Sequence, residues 1–208
     1  YYDSEYNTLK AVLLHRPGPE IDGVTKDNFS EFRFRGFMDP DIARKEHDTL
    51  ADIYRANGVK VHYVKNQRHD RPNAMFMRDL VFMTPEGAIV GRPAIAPRRG
   101  EQRAVAATLA ELGVPIIKTI NGEGYFEGAS AMWVNRETVV IGTSSRTNKS
   151  GADQVEAELR NIGVQNVIQY PSQTMYNALK INLTIHEVCQ SLNIPIILLG
   201  WFGVSKRF

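Results

Sequence analysis

Four stretches of the chain repeat one order of apolar and polar positions. Each begins with apolar residues at helical spacing, passes through Gly or Asn, and ends in a run of β-branched residues. The copies are Leu50–Val64, Leu109–Ile120, Leu159–Tyr170 and Val188–Leu199. Gly58, Gly113, Gly163 and Asn193 fall where a helix ends, a place that favours the left-handed conformation open to Gly and Asn. The pattern predicts a helix packed against the buried strand that follows it.

Further strands are expected between these units. Leu9–His15 is apolar and stops at the turn signal Arg16-Pro17-Gly18-Pro19. Leu80–Met83 and Ala88–Val90 flank Thr84-Pro85-Glu86-Gly87, which reads as a hairpin. Ala131–Val134 and Thr138–Ile141 flank Asn135-Arg136-Glu137 and read as another. The expected unit is strand–strand–helix–strand. Helix ends are 55 residues apart from Gly58 to Gly113, 50 from Gly113 to Gly163, and 30 from Gly163 to Asn193. The fourth copy is thus shorter than its neighbours, with no hairpin read between Asn182 and Glu187. A generic α/β domain with chance regularity is the plainer alternative.

Composition narrows the classes of partner. The 208 residues carry 25 basic and 23 acidic side chains, a net charge of +2, and the charges are interspersed. That gives no basic stripe for nucleic acid and no reason to expect a membrane surface. The run Ile194–Gly200 is too short to span a bilayer. Cys189 is the single cysteine, which excludes an internal disulfide and fits a reducing compartment. No signal peptide is read near Tyr1, so a cytoplasmic location is expected. No metal site and no cofactor motif are read.

Four polar clusters sit at strand and helix boundaries. Asn73-Ala74-Met75-Phe76-Met77-Arg78-Asp79 precedes the Leu80 strand. Asp79 could receive a planar guanidinium through two parallel N–H donors, with Phe76 covering the face of the cation. Arg98 and Arg99 precede the helix Glu101–Leu112, an odd place for a cation, and could hold a carboxylate. Glu127 lies between Tyr125-Phe126 and Gly128-Ala129-Ser130, and could accept from a guanidinium or relay a proton. Arg146 lies in Ser144–Gly151, ahead of the helix Ala152–Ile162, and could pair with an anionic end of a substrate. Each cluster also reads as a solvated or capping loop when taken alone.

Taken in order, the clusters resemble one superfamily. The order is Leu-His-Arg-Pro-Gly at 14–18, Glu-His-Asp at 46–48, and Asn-x-x-Phe-x-Arg-Asp at 73–79. Gly-Arg-Pro with Arg-Arg-x-Glu follows at 91–101, then Phe-Glu-Gly at 126–128 and Ser-Arg-Thr-Asn-x-x-Gly at 145–151. This resembles the guanidino-group-modifying enzymes, the dimethylargininase, arginine deiminase and amidinotransferase relatives, over roughly residues 7–175. The resemblance implies a pentein-type α/β propeller of strand–strand–helix–strand modules, with three full modules plus a shortened fourth here. It treats residues 1–208 as a single domain whose C-terminal module is missing. It implies a hydrolase that cleaves a C–N bond of arginine or methylated arginine through a Cys-thiouronium intermediate. No cofactor is implied. The partner implied is a small guanidino substrate, and a homo-oligomer is left open.

By resemblance, Asp79 and Glu127 match the carboxylates that face the guanidinium, with Glu127 placed among the catalytic groups. Asn73 and Phe76 match substrate-pocket positions, and Arg98 and Arg146 match arginines that hold the substrate carboxylate. These six side chains are expected to converge on one cavity. Three positions depart from the superfamily pattern. Glu-Gly-Gly-Asp becomes Glu127-Gly128-Ala129-Ser130. Tyr176 falls where the catalytic His is expected, and an ordinary tyrosine, with a pKa of about 10, is a poor proton shuttle near neutrality. The nucleophilic cysteine belongs to a fifth module. Cys189 is the only thiol, and the repeat puts it on a scaffold helix, three residues from His186. Three functions follow from these departures: a guanidino hydrolase, a guanidino-compound binder without chemistry, or a structural chain that completes a propeller.

Overall fold

In the computed structural model, which describes Glu5 and residues 7–171, the chain forms three separate sheets and three α-helices. Tyr176, Cys189 and the fourth repeat copy lie outside the described residues. The described residues divide into two compact units. The first comprises residues 78–94 and 115–171 with Glu5 and Asn7; the second comprises Thr8–Met77 with Ile95–Val114.

The second unit holds β1 (Ala11–Leu14), α1 (Pro40–Ala56), β2 (Lys60–Tyr63) and α2 (Glu101–Glu111). α1 begins where Asp39 accepts hydrogen bonds from the backbone N–H of Asp41 and Ile42 at 2.9 and 3.1 Å. Pro40 occupies the first turn, where a missing N–H costs nothing. After α1, Gly58 turns the chain at φ 74°, and β2 pairs parallel to β1, from Ala11 opposite Lys60 to Leu14 opposite Tyr63. Leu14, Ala51, Tyr54 and Val59 form the core between helix and strands. Within the same unit, α2 is tied to the segment after β2. Thr108 Oγ1 accepts from Lys65 N at 3.1 Å, and Gln67 Nε2 donates to Glu101 O at 3.2 Å.

The first unit holds two three-stranded sheets with the same topology. One is β3 (Val81–Met83), β4 (Ala88–Val90) and β5 (Ile116–Thr119); the other is β6 (Ala131–Asn135), β7 (Thr138–Thr143) and β8 (Asn166–Pro171). In each, the first two strands form an antiparallel hairpin and the third pairs parallel to the second. Both hairpins fall where the sequence placed them. α3 (Lys149–Asn161) lies between β7 and β8 in sequence and packs on both. Its residues Ala152, Val155 and Leu159 bury against Trp133, Val139, Ile141, Phe82 and Phe126. Phe82 and Trp133 stack with centroids 5.8 Å apart. Each such side chain removed from water contributes roughly 1.5–3 kcal/mol.

The strand–strand–helix–strand order expected for every copy is seen in β3–β4–α2–β5 and β6–β7–α3–β8. The first copy departs from it. Among the described residues one strand, β1, precedes α1, and two 3₁₀ turns at Pro19–Ile21 and Phe29–Phe32 occupy the interval. Residues 16–39 hold four prolines and glycines by residue 23 and no alternating apolar run, so no second strand is specified there.

Candidate functional site

Two carboxylate-bearing segments are brought together within the first unit by backbone contact. Arg92 N donates to Phe126 O at 2.9 Å and Phe126 N to Arg92 O at 3.0 Å, an antiparallel bridge outside the sheets. Gly91 lies where this bridge meets the start of β3. A Cβ there would sit 2.8 Å from Phe126 O and 3.0 Å from Asp79 O. Gly128 is tighter still. A Cβ there would meet Arg78 O at 2.7 Å and would collide with Val81 O. The backbones of Asp79 and Glu127 are therefore held close by two positions that exclude any side chain.

Glu127 is buried, at 6% exposure, and stands just before the Gly128–Ser130 turn. Its backbone N–H donates to Thr147 Oγ1 at 3.1 Å. The Thr147 hydroxyl donates in turn to Ser130 Oγ at 2.8 Å, and Ser130 N closes the turn on Glu127 O at 2.8 Å. Arg146 Nη1 donates to Glu127 Oε1 at 3.1 Å. Arg146 is held in a tight bend by its own N–H on Ser144 Oγ at 3.0 Å and by Ser144 N on Thr147 O at 2.7 Å. Asn148 then caps α3. Its Oδ1 accepts from Gly151 N at 2.9 Å and from Tyr125 N at 3.0 Å, so the helix start is locked to the segment that leads to Glu127. Ser130 is a neutral link in this network.

The second unit carries the other candidates. Asn73 is buried and its Nδ2 donates to Phe32 O at 2.9 Å. Phe76 is half-buried, with the Phe34 ring 6.3 Å away and the Arg98 guanidinium carbon 5.8 Å from its centroid. Arg98 Nε donates to Glu101 Oε2 at 3.0 Å, and Nη2 lies 2.9 Å from the same oxygen. Both side chains are almost fully buried. The cation that looked misplaced before a helix is thus neutralised by the first residue of α2. Asp79, Glu127 and Arg146 lie in one unit and Asn73, Phe76 and Arg98 in the other.

Two histidines in the second unit, His15 buried and His47 half-buried, lie close to charge. His15 Nε2 is 2.9 Å from Glu20 Oε1, and that oxygen also accepts from Gly18 N at 2.7 Å. Burial pushes the Glu20 carboxyl up, but these hydrogen bonds outweigh it and hold it below its ordinary value. His47 has neither ring nitrogen hydrogen-bonded among the described residues, and its ring lies 5.9 Å from that of Tyr63. Burial holds its imidazole below the ordinary histidine value.

Sequence reasoning missed two residues of this arrangement. Arg78 was read as solvated in the plainer alternative, yet it is half-buried. It donates to Gly128 O at 2.6 Å and to Ala131 O at 2.7 Å. Thr147 gave no signal beyond its place in the Ser-Arg-Thr-Asn run. Glycine directly after a carboxylate, as in Glu127-Gly128, was the available sign of a crowded backbone.

The chain is one of the guanidino-group-modifying enzymes' superfamily, on the match of a family model to more than half of its length. It belongs to the eukaryotic N,N-dimethylarginine dimethylhydrolase family, whose model matches residues 36–196. An arginine deiminase of Lactococcus lactis subsp. lactis (strain IL1403) is 42% identical over 64 residues, covering 31% of this chain and 16% of that protein. The dimethylarginine dimethylaminohydrolase of Pseudomonas aeruginosa, solved as a cysteine-to-serine mutant with citrulline, aligns at a TM-score of 0.66 and 26% identity. That alignment covers 79% of this chain and 62% of that one. An amidinotransferase of Microseira wollei shares the fold at a TM-score of 0.63 and 17% identity, over 83% of this chain and 62% of that one. The chain thus spans less than two thirds of each of these relatives. No helix among the described residues is long and apolar enough to cross a membrane.

Proposed function

We propose that the chain binds the guanidinium group of arginine or a methylated arginine through Asp79 and Glu127, as part of a guanidino hydrolase built on a propeller of such modules. One observation carries this reading: buried Glu127 already holds a guanidinium, that of Arg146, at 3.1 Å. A carboxylate set to receive that group has the charge and hydrogen-bonding capacity to receive a substrate's. Asp79 comes from a neighbouring strand start whose backbone is locked to the same turn through Gly91 and Gly128. Two carboxylates around one planar cation would fix its plane and turn its central carbon towards a nucleophile. Arg146 is then assigned to the anionic end of the substrate, which it meets by leaving Glu127 when the substrate guanidinium takes its place.

The test is calorimetry of the purified chain with arginine, N,N-dimethylarginine and citrulline. Binding of the cationic ligands is expected, and Asp79→Asn and Glu127→Gln should each weaken it by about tenfold or more, the usual scale for losing a charge-assisted hydrogen bond. Equal affinity of the wild type and both variants would sink the assignment.

A further inference from the structure

Arg78 stands beside Asp79 in sequence, and its guanidinium reaches across to the segment that follows Glu127. Nη1 donates to Gly128 O at 2.6 Å and Nη2 to Ala131 O at 2.7 Å. These carbonyls bracket the Gly128–Ser130 turn, so one planar group grips both its ends. Nη2 also donates to a Glu5 carboxylate oxygen at 3.3 Å, and that oxygen accepts from Trp133 N at 3.3 Å. The guanidinium carbon lies 5.4 Å from the centroid of the Phe82 ring, which is itself fully buried. All these groups belong to the first unit.

We infer that Arg78 is the positioning residue that sets the spacing of Asp79 and Glu127 for a guanidinium ligand. This rests on the guanidinium reading proposed above. The steric contacts at Gly91 and Gly128 only set how close the two segments come. They do not stop the segments from separating. The Arg92–Phe126 backbone bridge restrains the side before Glu127; beyond Glu127 the two hydrogen bonds from Arg78 supply the restraint, and they need donors spread across a rigid plane. A lysine, a single point of charge on a flexible stem, reaches one carbonyl at a time. The Glu5 carboxylate balances the charge that the grip brings inward, and the Phe82 face supports it from below. Arg78 touches neither ligand nor reacting atoms in this account. It acts through the distance between two carboxylates.

The experiment compares wild type, Arg78→Met, Arg78→Lys and Asp79→Asn in two measurements on the full chain. The first is the ratio of affinities for arginine and citrulline, cationic and neutral ligands of nearly equal shape. The second is amide hydrogen exchange at Ser130 and Trp133. Arg78→Met should lower the arginine-to-citrulline ratio by about tenfold, and Arg78→Lys by less, because only the cation needs both carboxylates at a fixed distance. Both Arg78 variants should speed exchange at the two amides, whereas Asp79→Asn should lower the ratio and leave exchange protected. If Arg78→Met fails to fold, Arg78→Lys decides. Affinities for arginine and citrulline that drop by one common factor would reduce Arg78 to a plain stability role and overturn the inference. So would unchanged exchange in both Arg78 variants. Failure of the wild type to bind either ligand would instead remove the guanidinium reading, and the exchange measurement would still judge the grip.

Discussion

Arg98 and Glu101 give up nearly all contact with water to face each other. Removing one member of such a pair leaves a charge stranded, which typically costs about 3–5 kcal/mol, while removing both for apolar groups of similar volume costs far less. We expect Arg98→Ala to lower unfolding stability on that scale and the double substitution Arg98→Met, Glu101→Met to restore most of it, as measured by denaturant titration. Little loss on Arg98→Ala would show that the buried pair is weakly coupled. The sequence flagged Arg98 as a cation in the wrong place, which was the correct cue. Its partner three residues on could not be singled out, because burial decides the pairing and burial is a property of the folded chain. His47 makes a second residue-scale case. Burial lowers its imidazole first; Asp48 pulls the other way, and His15, Arg16 and Arg55 push it further down, with the Tyr63 ring alongside. The unfolded chain therefore binds this proton more readily, below about pH 6.5, than the folded one does. Stability should fall as the pH drops through the ordinary histidine value of about 6.5 and gain nothing from this group well above it. Glu20 works in a separate window: its carboxyl is depressed, so its contribution is lost only as the pH falls through a value below the ordinary one. His47→Phe keeps a ring against Tyr63 and should flatten the upper slope in denaturation midpoints taken across the histidine value. An unchanged slope would move the effect to another group.

Helix starts explain most of what the sequence showed and missed among the elements. α2 begins at Glu101, as read, but α3 begins at Lys149, three residues before the expected Ala152. Gly151 in that first turn argued for loop, yet the side chain of Asn148 compensates by capping the turn. α1 starts at Pro40, well before the apolar stretch at Leu50, and its sign was the pair Asp39-Pro40, an N-cap followed by proline in the first turn. The two hairpins were legible because Thr84–Gly87 and Asn135–Glu137 interrupt short continuous apolar runs. The 3₁₀ turns after β1 were not, since they rest on single backbone bonds such as Asp22 N to Pro19 O at 3.2 Å. The two caps differ in reach, which makes them comparable. Asp39 serves only its own helix in the bonds seen, through Asp41 N and Ile42 N. Asn148 serves α3 through Gly151 N and also accepts from Tyr125 N and donates to Glu123 O at 2.9 Å. Replacing a cap by alanine typically costs about 1 kcal/mol, and each further net hydrogen bond adds about 1 kcal/mol. Asn148→Ala should therefore destabilise by about three times as much as Asp39→Ala in denaturant titrations, and it should also weaken arginine binding because it frees the segment before Glu127. Equal costs would mean that the Tyr125 and Glu123 bonds are replaced by water.

At the scale of the whole molecule, the repeat carried the fold class from the sequence. Helix, Gly and β-branched run recur because each helix is followed by a left-handed turn into the next strand, which Gly58, Gly113 and Gly163 supply. The candidate site was legible only in pieces, because residues separated by about fifty positions meet through backbone contacts that no local pattern encodes. Binding and chemistry separate at this scale too. The described first unit holds the two carboxylates and Arg146. Tyr176 and Cys189, the candidates for proton transfer and attack, lie outside the described residues. Attack on a guanidinium carbon needs a thiolate aimed at that carbon and a donor for the departing amine. Loss of one member of such a set typically costs several orders of magnitude in rate. Tyr176, matched to the superfamily's histidine only by resemblance, would supply little proton transfer near neutrality. Cys189 is the only thiol of the 208-residue chain, and the repeat spacing assigns it to a scaffold helix. We propose that these 208 residues bind arginine and dimethylarginine far better than they turn them over. The check is a ureido-product assay run beside the calorimetry, with Cys189→Ser as the paired variant. Product that disappears in Cys189→Ser would make that thiol the nucleophile and remove it from the scaffold. Product that persists in the variant would require attack by a group other than sulfur.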